Sequence, residues 1–131
     1  PKMNRELKCL SEALYFEARG EQIEGQIAVA DVIINRKKSK HFPNTICGVI
    51  SEGSHKRHAC QFSYNCDGKL ELIYDKRAYN RIVKLSSLIL DGAFSDVTKG
   101  ATFFHASEVS PAWSKKFKKT REIGRHIFYK N

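Results

Sequence analysis

The chain has 131 residues and a formal net charge of +9, from 23 Lys and Arg against 14 Asp and Glu. This length suits one domain, which we expect to span residues 1–131. Because 41% of the residues are hydrophobic and 11% are aromatic, the chain can bury a core, which excludes a purely disordered basic tail. No apolar run approaches the roughly 18 residues that cross a bilayer, so we expect no membrane insertion.

Hydrophobic periodicity predicts four helices in the first two thirds of the chain. The second of them is apolar nearly all round, which predicts a central and buried position. The third is short, and Asn44 or Thr45 provides its N-terminal cap. The four helices are expected over residues 4–19, 24–36, 45–51 and 75–90.

The remaining segments have a different character. Polar, Gly, His and Cys residues dominate positions 52–70, which predicts a long surface loop of the kind that often carries function. Residues 101–105 and 125–129 are β-rich and are expected to pair as antiparallel strands. The predicted class is therefore α+β, mostly helical, with a small antiparallel β element.

The chain carries four cysteines, Cys9, Cys47, Cys60 and Cys66. Their spacing does not suit a tetrahedral zinc site, and we expect neither a metal nor another cofactor. Four cysteines can form two disulfide bonds in three ways, and we favour the arrangement with Cys9 bonded to Cys47 and Cys60 bonded to Cys66. Such bonds imply an oxidising compartment, while four reduced and partly buried thiols in a cytosolic protein are the alternative.

Glu17 occupies a position where the apolar stripe of the first helix predicts a Leu or an Ala. The stripe runs through Leu7, Leu10 and Leu14, and the next position on this face is Glu17. A carboxyl group among apolar neighbours has its charged form disfavoured, which moves its pKa toward the range useful for a general acid. An ion pair with Arg19 or another cation at the helix end explains the same position, so periodicity leaves both interpretations open.

Several sequence blocks together resemble the cell wall hydrolase family of the spore-cortex lytic enzymes SleB and CwlJ. They follow the family's order over nearly the whole chain. The blocks are ALYFEARGE (13–21), GQIAVADVIINR (25–36), FPNTICGVI (42–50), CQFS (60–63), CDG (66–68), GATFFH (100–105), Pro111 with Trp113, and IGRHIFY (123–129).

The resemblance implies a lysozyme-like domain that cleaves peptidoglycan glycan strands between N-acetylmuramic acid and N-acetylglucosamine, with Glu17 as the catalytic acid. It also implies a substrate cleft beside the 60–66 loop and near His105. Trp113 either stacks on a sugar ring or caps the core. The candidate substrate-binding residues are Glu21, Gln61, Phe62, Ser63, Tyr64, His105 and Trp113.

The nucleophile decides between two mechanisms. If the muramyl 6-hydroxyl attacks, the enzyme is a lytic transglycosylase that leaves 1,6-anhydromuramyl ends and needs no second carboxylate. If water attacks, the enzyme is a muramidase and a partner acid is expected, with Glu21, Glu24 and Asp67 as candidates. Glu21 would share the face of Glu17 if the first helix continued past Gly20. Since no evident pair of acids demands hydrolysis, we favour the transglycosylase.

The charge is concentrated near the end of the sequence, because residues 111–131 hold seven Lys or Arg and one Glu. This pattern supports an alternative of another class, a non-catalytic basic module for an anionic envelope polymer or nucleic acid. That alternative leaves the 13–21 and 60–63 blocks unexplained. We therefore expect peptidoglycan glycan strands as the partner, no nucleic acid, a monomer, and a place in the cell envelope, periplasmic, secreted or delivered to the wall by a phage.

Overall fold

The structure, a computed structural model, describes residues 3–52 and 72–131 of the chain. The predicted 52–70 loop lies almost entirely between these two ranges. What the sequence predicts there, including a bond between Cys60 and Cys66, therefore stays a prediction. The site candidates outside the described residues are Gln61, Phe62, Ser63, Tyr64 and Asp67.

Four α-helices form where the periodicity predicts them. Three begin at a side-chain cap, since the side-chain oxygens of Asn4, Thr45 and Asp75 each accept the backbone N–H three residues further along. The second helix runs two residues beyond its predicted end, because Lys37 and Lys38 suit the negative end of a helix. The helices are α1 (Arg5–Ala18), α2 (Ile23–Lys38), α3 (Ile46–Ser51) and α4 (Lys76–Leu90).

Helix α2 lies at the centre of the core, as its all-round apolar pattern predicts. Its side chains at Ala28, Val29, Val32 and Ile33 have no exposed surface. Helix α1 packs against all three of the other helices. A disulfide between Cys9 and Cys47 ties α1 to α3, which confirms that predicted pair. None of the helices in the described ranges is long and apolar enough to span a membrane.

A three-stranded antiparallel sheet follows the helices, in the order β1-β3-β2. Its strands are β1 (Phe103–Ala106), β2 (Lys118–Ile123) and β3 (His126–Lys130). The pairing of β1 with β3 confirms the predicted strand pair, with Phe104 opposite Phe128 and Ala106 opposite His126. The α+β class is confirmed with it.

Strand β2 and the 3-10 helix at Ala112–Lys115 that precedes it are absent from the sequence prediction. The strand begins inside a basic run and lies at an edge of the sheet, where Lys118 and Lys119 are exposed. Hydrophobic alternation is weak on such an edge strand. Its backbone hydrogen bonds to β3 hold it in the sheet, with a register shift between Lys119 and Arg121.

The C-terminal end of α2 fixes the segment that leads into β1. Asn35 Nδ2 donates to the Ala101 carbonyl at 2.9 Å, and Arg36 Nε donates to the Thr102 carbonyl at 2.6 Å. The Arg36 guanidinium is also stacked on the ring of Phe103, 4.8 Å from its centroid. These contacts set the position of β1, and hence of the whole sheet, relative to the helices.

Candidate active site

Glu17 lies in the last turn of α1, half-buried, and lines an open cavity of about 360 Å³. The described walls of this cavity come from parts of the chain that are distant in sequence. They are the end of α1 with the turn after it, the segment that follows β1, and the beginning of β3. The wall residues from outside the 16–21 segment are Ala106, Glu108, Arg125 and His126.

Aromatic packing holds the helix end that carries Glu17. Tyr15 is 1% exposed, and its ring meets that of Phe16 edge to face at 5.0 Å. The Tyr15 hydroxyl accepts the Asp75 N–H at 2.9 Å, which joins α1 to the start of α4. Arg19 lies over the Tyr15 ring, 4.5 Å from its centroid. Glu17 therefore stands on a rigid helix end with Phe16 beside it in the cavity wall.

Glu21 does not lie on the same helical face as Glu17, contrary to one of the sequence-based options. Helix α1 ends at Ala18, whose carbonyl accepts the Glu21 N–H at 2.9 Å in a tight turn. The Glu21 side chain is 7% exposed, and its carboxylate accepts the Arg125 backbone N–H at 2.9 Å and Arg125 Nε at 3.3 Å. The carboxylate is thus committed to the turn between β2 and β3.

The contact between Glu21 and this turn gives a physical reason for two of the sequence blocks. Gly124 has a φ of 59°, and a β-carbon there would collide with the Glu21 carboxylate. Only glycine combines that backbone conformation with so close an approach. The 13–21 and 123–129 blocks therefore meet in space and build one wall of the cavity.

The other predicted partner acids are placed elsewhere. Glu24 is exposed in the first turn of α2 and does not line the cavity, and Asp67 lies outside the described residues. Glu108, which the sequence analysis did not single out, is an exposed carboxylate in the cavity wall. No periodic pattern marks Glu108, because it lies in the loop after β1.

His105 lies on the side of the sheet opposite the cavity. The residue is 9% exposed, and its Nδ1 lies 2.7 Å from the Ala106 carbonyl oxygen. Because a carbonyl only accepts, Nδ1 carries the proton and Nε2 accepts the Tyr129 hydroxyl at 2.8 Å. Both ring nitrogens are therefore used within the protein.

Trp113 packs on the same side of the sheet as His105. Its ring centroid lies 5.4 Å from those of Phe103 and Tyr129 and 5.6 Å from that of His105. These are the contacts of a ring that caps an aromatic cluster. Neither Trp113 nor His105 is among the residues that line the cavity of Glu17.

His126 is the second residue of this cavity that sequence reasoning missed. It is the first residue of β3, and its ring meets that of Phe104 edge to face at 5.1 Å on the helix-facing side of the sheet. Burial lowers the pKa of His126, against the opposing effect of the carboxylates of Glu21 and Glu108. The sequence did hold a signal for the face on which His126 lies. Side chains two residues apart on a strand point to the same side, so in the predicted 125–129 strand His126 shares the side of Phe128.

The walls of the cavity combine an imidazole, an apolar ring, two guanidinium groups and three carboxyl groups, one of which, that of Glu21, is held by Arg125. Such a set suits a polar, uncharged ligand of sugar size more than a metal ion. Within residues 3–52 and 72–131, no three His, Cys, Asp or Glu side chains are grouped as a metal site would require.

A protein-family model described as Cell Wall Hydrolase matches residues 20–129, which is most of the chain. The chain belongs to the cell wall hydrolase family. The family resemblance inferred from the sequence blocks is thereby confirmed. The matched range begins three residues after Glu17, so the role of Glu17 stays a prediction.

Curated relatives of this cell wall hydrolase domain include two spore cortex-lytic enzymes. The enzyme of Halalkalibacterium halodurans is 32% identical over 126 residues, which cover 95% of this chain and 34% of that protein. The enzyme of Bacillus subtilis is 30% identical over 125 residues, which cover 95% of this chain and 37% of that protein. The chain thus spans little more than a third of the length of these relatives.

Two solved structures share the fold of this cell wall hydrolase domain. The catalytic domain of the germination-specific lytic transglycosylase SleB from Bacillus anthracis matches with a TM-score of 0.72 and 32% identity, over 98% of this chain and 97% of that one. The catalytic domain of the Bacillus cereus SleB protein matches with a TM-score of 0.71 and 30% identity, over 99% and 93%.

Proposed function

We propose that this domain degrades peptidoglycan by cleaving the β-1,4 bond between N-acetylmuramic acid and N-acetylglucosamine as a lytic transglycosylase. The observation that carries the proposal is the position of Glu17, half-buried at a rigid helix end in an open cavity of about 360 Å³. The structural match to a catalytic domain named as a lytic transglycosylase supports the same reaction.

Glu17 serves first as acid and then as base in this reaction. Its protonated carboxyl gives a proton to the leaving O4 while the bond between C1 and O4 breaks, and C1 becomes oxocarbenium-like. The muramyl 6-hydroxyl then bonds through its oxygen to C1 and returns its proton to the Glu17 carboxylate. No water is consumed, the new end is a 1,6-anhydro sugar, and Glu17 finishes in its starting protonation state.

The surroundings of Glu17 fit a carboxyl group that must change protonation state within one turnover. Phe16 provides an apolar wall, and the carboxylate of Glu21 is held by Arg125 rather than directed at a water molecule. We include the polar block at residues 61–64 as a substrate-binding segment on the basis of its chemistry. Glycan contacts by His105 and Trp113 form no part of the proposal, since both lie across the sheet from the cavity.

A second candidate is a muramidase that uses water at the same bond. Glu108 favours it, because this exposed carboxylate lines the same cavity as Glu17 and an inverting hydrolase needs two carboxylates with a water between them. Mass spectrometry of the released muropeptides separates the two mechanisms. Products lighter by one water indicate anhydro ends and the transglycosylase, whereas reducing ends, lost on Glu108→Gln, indicate the muramidase.

The natural partner in either case is the glycan strand of peptidoglycan, which implies action outside the cytoplasm. The net charge of +9 draws the domain to an acidic wall. Delivery by secretion, to the periplasm or by a phage is compatible with the same chemistry, and a monomer suits an enzyme that must enter a polymer network.

The decisive experiment is Glu17→Gln, followed by loss of turbidity of purified cell walls. Gln keeps the shape of the side chain and cannot donate the proton, so we expect lysis to slow by about 100-fold or more. Glu24→Gln is the matched control, because Glu24 is exposed on α2 outside the cavity, and it should lyse walls like the parent. Parental lysis by Glu17→Gln would overturn the assignment. Wall binding without lysis by the parent itself would favour the non-catalytic module.

A further inference from the structure

The sheet carries two buried histidines that differ in the hydrogen bonding of their ring nitrogens. His105 is 9% exposed and both of its nitrogens are hydrogen-bonded, to the Ala106 carbonyl and the Tyr129 hydroxyl. His126 is 8% exposed, yet its Nδ1 is buried and has no hydrogen-bond partner in the described part of the chain. A buried polar atom of this kind destabilises the fold, so its presence in a native protein requires an explanation.

The explanation must account for where His126 lies. Its ring packs edge to face on Phe104 and Phe128, at 5.1 and 6.3 Å between centroids, and the residue lines the cavity that contains Glu17. Within this packing Nδ1 is buried. The other nitrogen, Nε2, has no protein partner among the described residues and is not sealed from solvent, so Nε2 is the nitrogen that the cavity reaches.

Burial favours the neutral imidazole of His126. Burial lowers its pKa, and Arg125 and His105 act in the same direction, while Glu21 and Glu108 oppose them. A neutral imidazole has one N–H and one bare nitrogen. Since an N–H left without an acceptor in the interior is rarer than a bare acceptor, the proton belongs on Nε2, where the cavity offers it a partner.

We propose that His126 is a substrate-contacting residue of this cavity, in which Nε2–H donates a hydrogen bond to an oxygen of the bound sugar, a hydroxyl or the acetamido carbonyl. This inference rests on the proposed function, since it takes the cavity of Glu17 to be the glycan site. It also explains why the protein keeps a histidine at this position although its buried Nδ1 lacks a partner. The unpaired Nδ1 destabilises the folded domain, and the hydrogen bond from Nε2–H stabilises the complex with substrate.

The test compares substitutions at the two histidines. His126→Phe keeps a ring and removes both nitrogens, so we expect wall lysis to fall about 10-fold, with a thermal midpoint no lower than that of the parent. On soluble glycan fragments the loss should appear mainly in KM. The matched control is His105→Phe, which leaves the Tyr129 hydroxyl and the Ala106 carbonyl without their partner. It should lower the thermal midpoint and leave the lysis of folded protein unchanged.

Two conservative variants identify the nitrogen. The amide nitrogen of Gln reaches the position of imidazole Nε2, whereas that of Asn reaches only Nδ1. We expect His126→Gln to regain most of the lost lysis and His126→Asn to regain little. Equal recovery by both, or by neither, would overturn the assignment to Nε2–H.

The outcomes also separate this inference from the proposed function. Parental lysis by His126→Phe overturns the role of His126, and so does a loss of lysis that only follows a fall in thermal midpoint. If Glu17→Gln is inactive in the same assay, the proposed function stands without His126. If Glu17→Gln is active, the proposed function itself fails.

Discussion

The two sides of the three-stranded sheet are built from the same strands but have different roles. On the side away from the cavity, Phe103, His105, Trp113 and Tyr129 form an aromatic cluster in which His105 and the hydroxyl of Tyr129 are hydrogen-bonded to each other. On the helix-facing side, Phe104 and Phe128 join the core and His126 ends the row beside the cavity. In the aromatic cluster the ring nitrogens of His105 are hydrogen-bonded within the protein. On the cavity side, His126 Nε2 is left to bind a ligand.

The difference teaches that burial alone does not identify a functional histidine. His105 and His126 are almost equally buried, at 9% and 8% exposure. Only the hydrogen-bond partners of the ring nitrogens distinguish them. A buried polar group that is satisfied within the protein contributes to stability, and one that lacks a partner beside a cavity requires an explanation.

The largest effect on the cavity side is expected from Gly124→Ala. Gly124 has a φ of 59° in the turn that Glu21 holds, and a β-carbon there would strike the Glu21 carboxylate. Backbone strain and displacement of Glu21 add, so we expect a loss of about 3 kcal/mol in the free energy of unfolding. Urea denaturation gives the loss, and wall lysis should fall with it because Arg125 and His126 follow the turn.

Gly92→Ala is the matched control for this prediction. Gly92 has a φ of 82° at the end of α4, and a β-carbon there would meet nothing within 4 Å. It should therefore show the backbone cost alone, about 1 kcal/mol. Equal losses for the two variants would mean that Glu21 swings aside freely and does not fix the cavity wall.

Two carboxyl groups outside the sheet, Asp31 on α2 and Asp96 in the segment before β1, allow a similar comparison to be made by changing pH. Asp96 accepts hydrogen bonds from Thr98, Asn35 and Gly100, and although burial opposes them, they lower its pKa. Asp31, 7% exposed, accepts the Val97 N–H at 2.9 Å, but burial, together with the neighbouring Asp96 carboxyl, raises its pKa to about 7. One carboxyl is thus stabilised as the anion and its neighbour as the neutral acid.

The pH prediction concerns Asp31→Asn. Between its unfolded pKa of 3.8 and its folded pKa of about 7, Asp31 binds its proton more in the folded state. Stability from this group is therefore fully present below pH 3.8 and is lost as pH rises toward 7. A pKa shift changes stability by at most about 1.4 kcal/mol per pKa unit. We expect an effect below that limit, in which the parent loses about 2 kcal/mol relative to Asp31→Asn between pH 4.5 and 8.

Urea denaturation at several pH values measures the difference. Asp91→Asn, at the exposed end of α4, is the control and should follow the parent at every pH. A constant difference between Asp31→Asn and the parent would show that Asp31 ionises as easily in the folded state as in the unfolded one.

The limits of prediction from the sequence follow from what each element depends on. Helices α1 to α4 were predicted because local periodicity and caps such as Asn4 and Asp75 specify them. Strand β2 was missed because its evidence lies in its pairing with β3 and not in its own pattern. Glu17 was predicted as the catalytic acid from its place on a helical stripe and from the family resemblance, and the structure places it in the wall of a cavity. His126 was missed because its significance depends on which partners its nitrogens lack, and that appears only in the folded chain.

The smallest expected effect, Tyr129→Phe, tests the aromatic cluster without touching the cavity. It removes the hydroxyl that donates to His105 Nε2 at 2.8 Å and leaves the rings in place. We expect a loss of about 1 kcal/mol in the free energy of unfolding, because a buried nitrogen loses its donor, with unchanged wall lysis. Tyr74→Phe, at a side chain that is 81% exposed, should change neither quantity. A loss of lysis in Tyr129→Phe at parental stability would contradict the division between the two sides, since it would couple the aromatic cluster directly to the chemistry at Glu17.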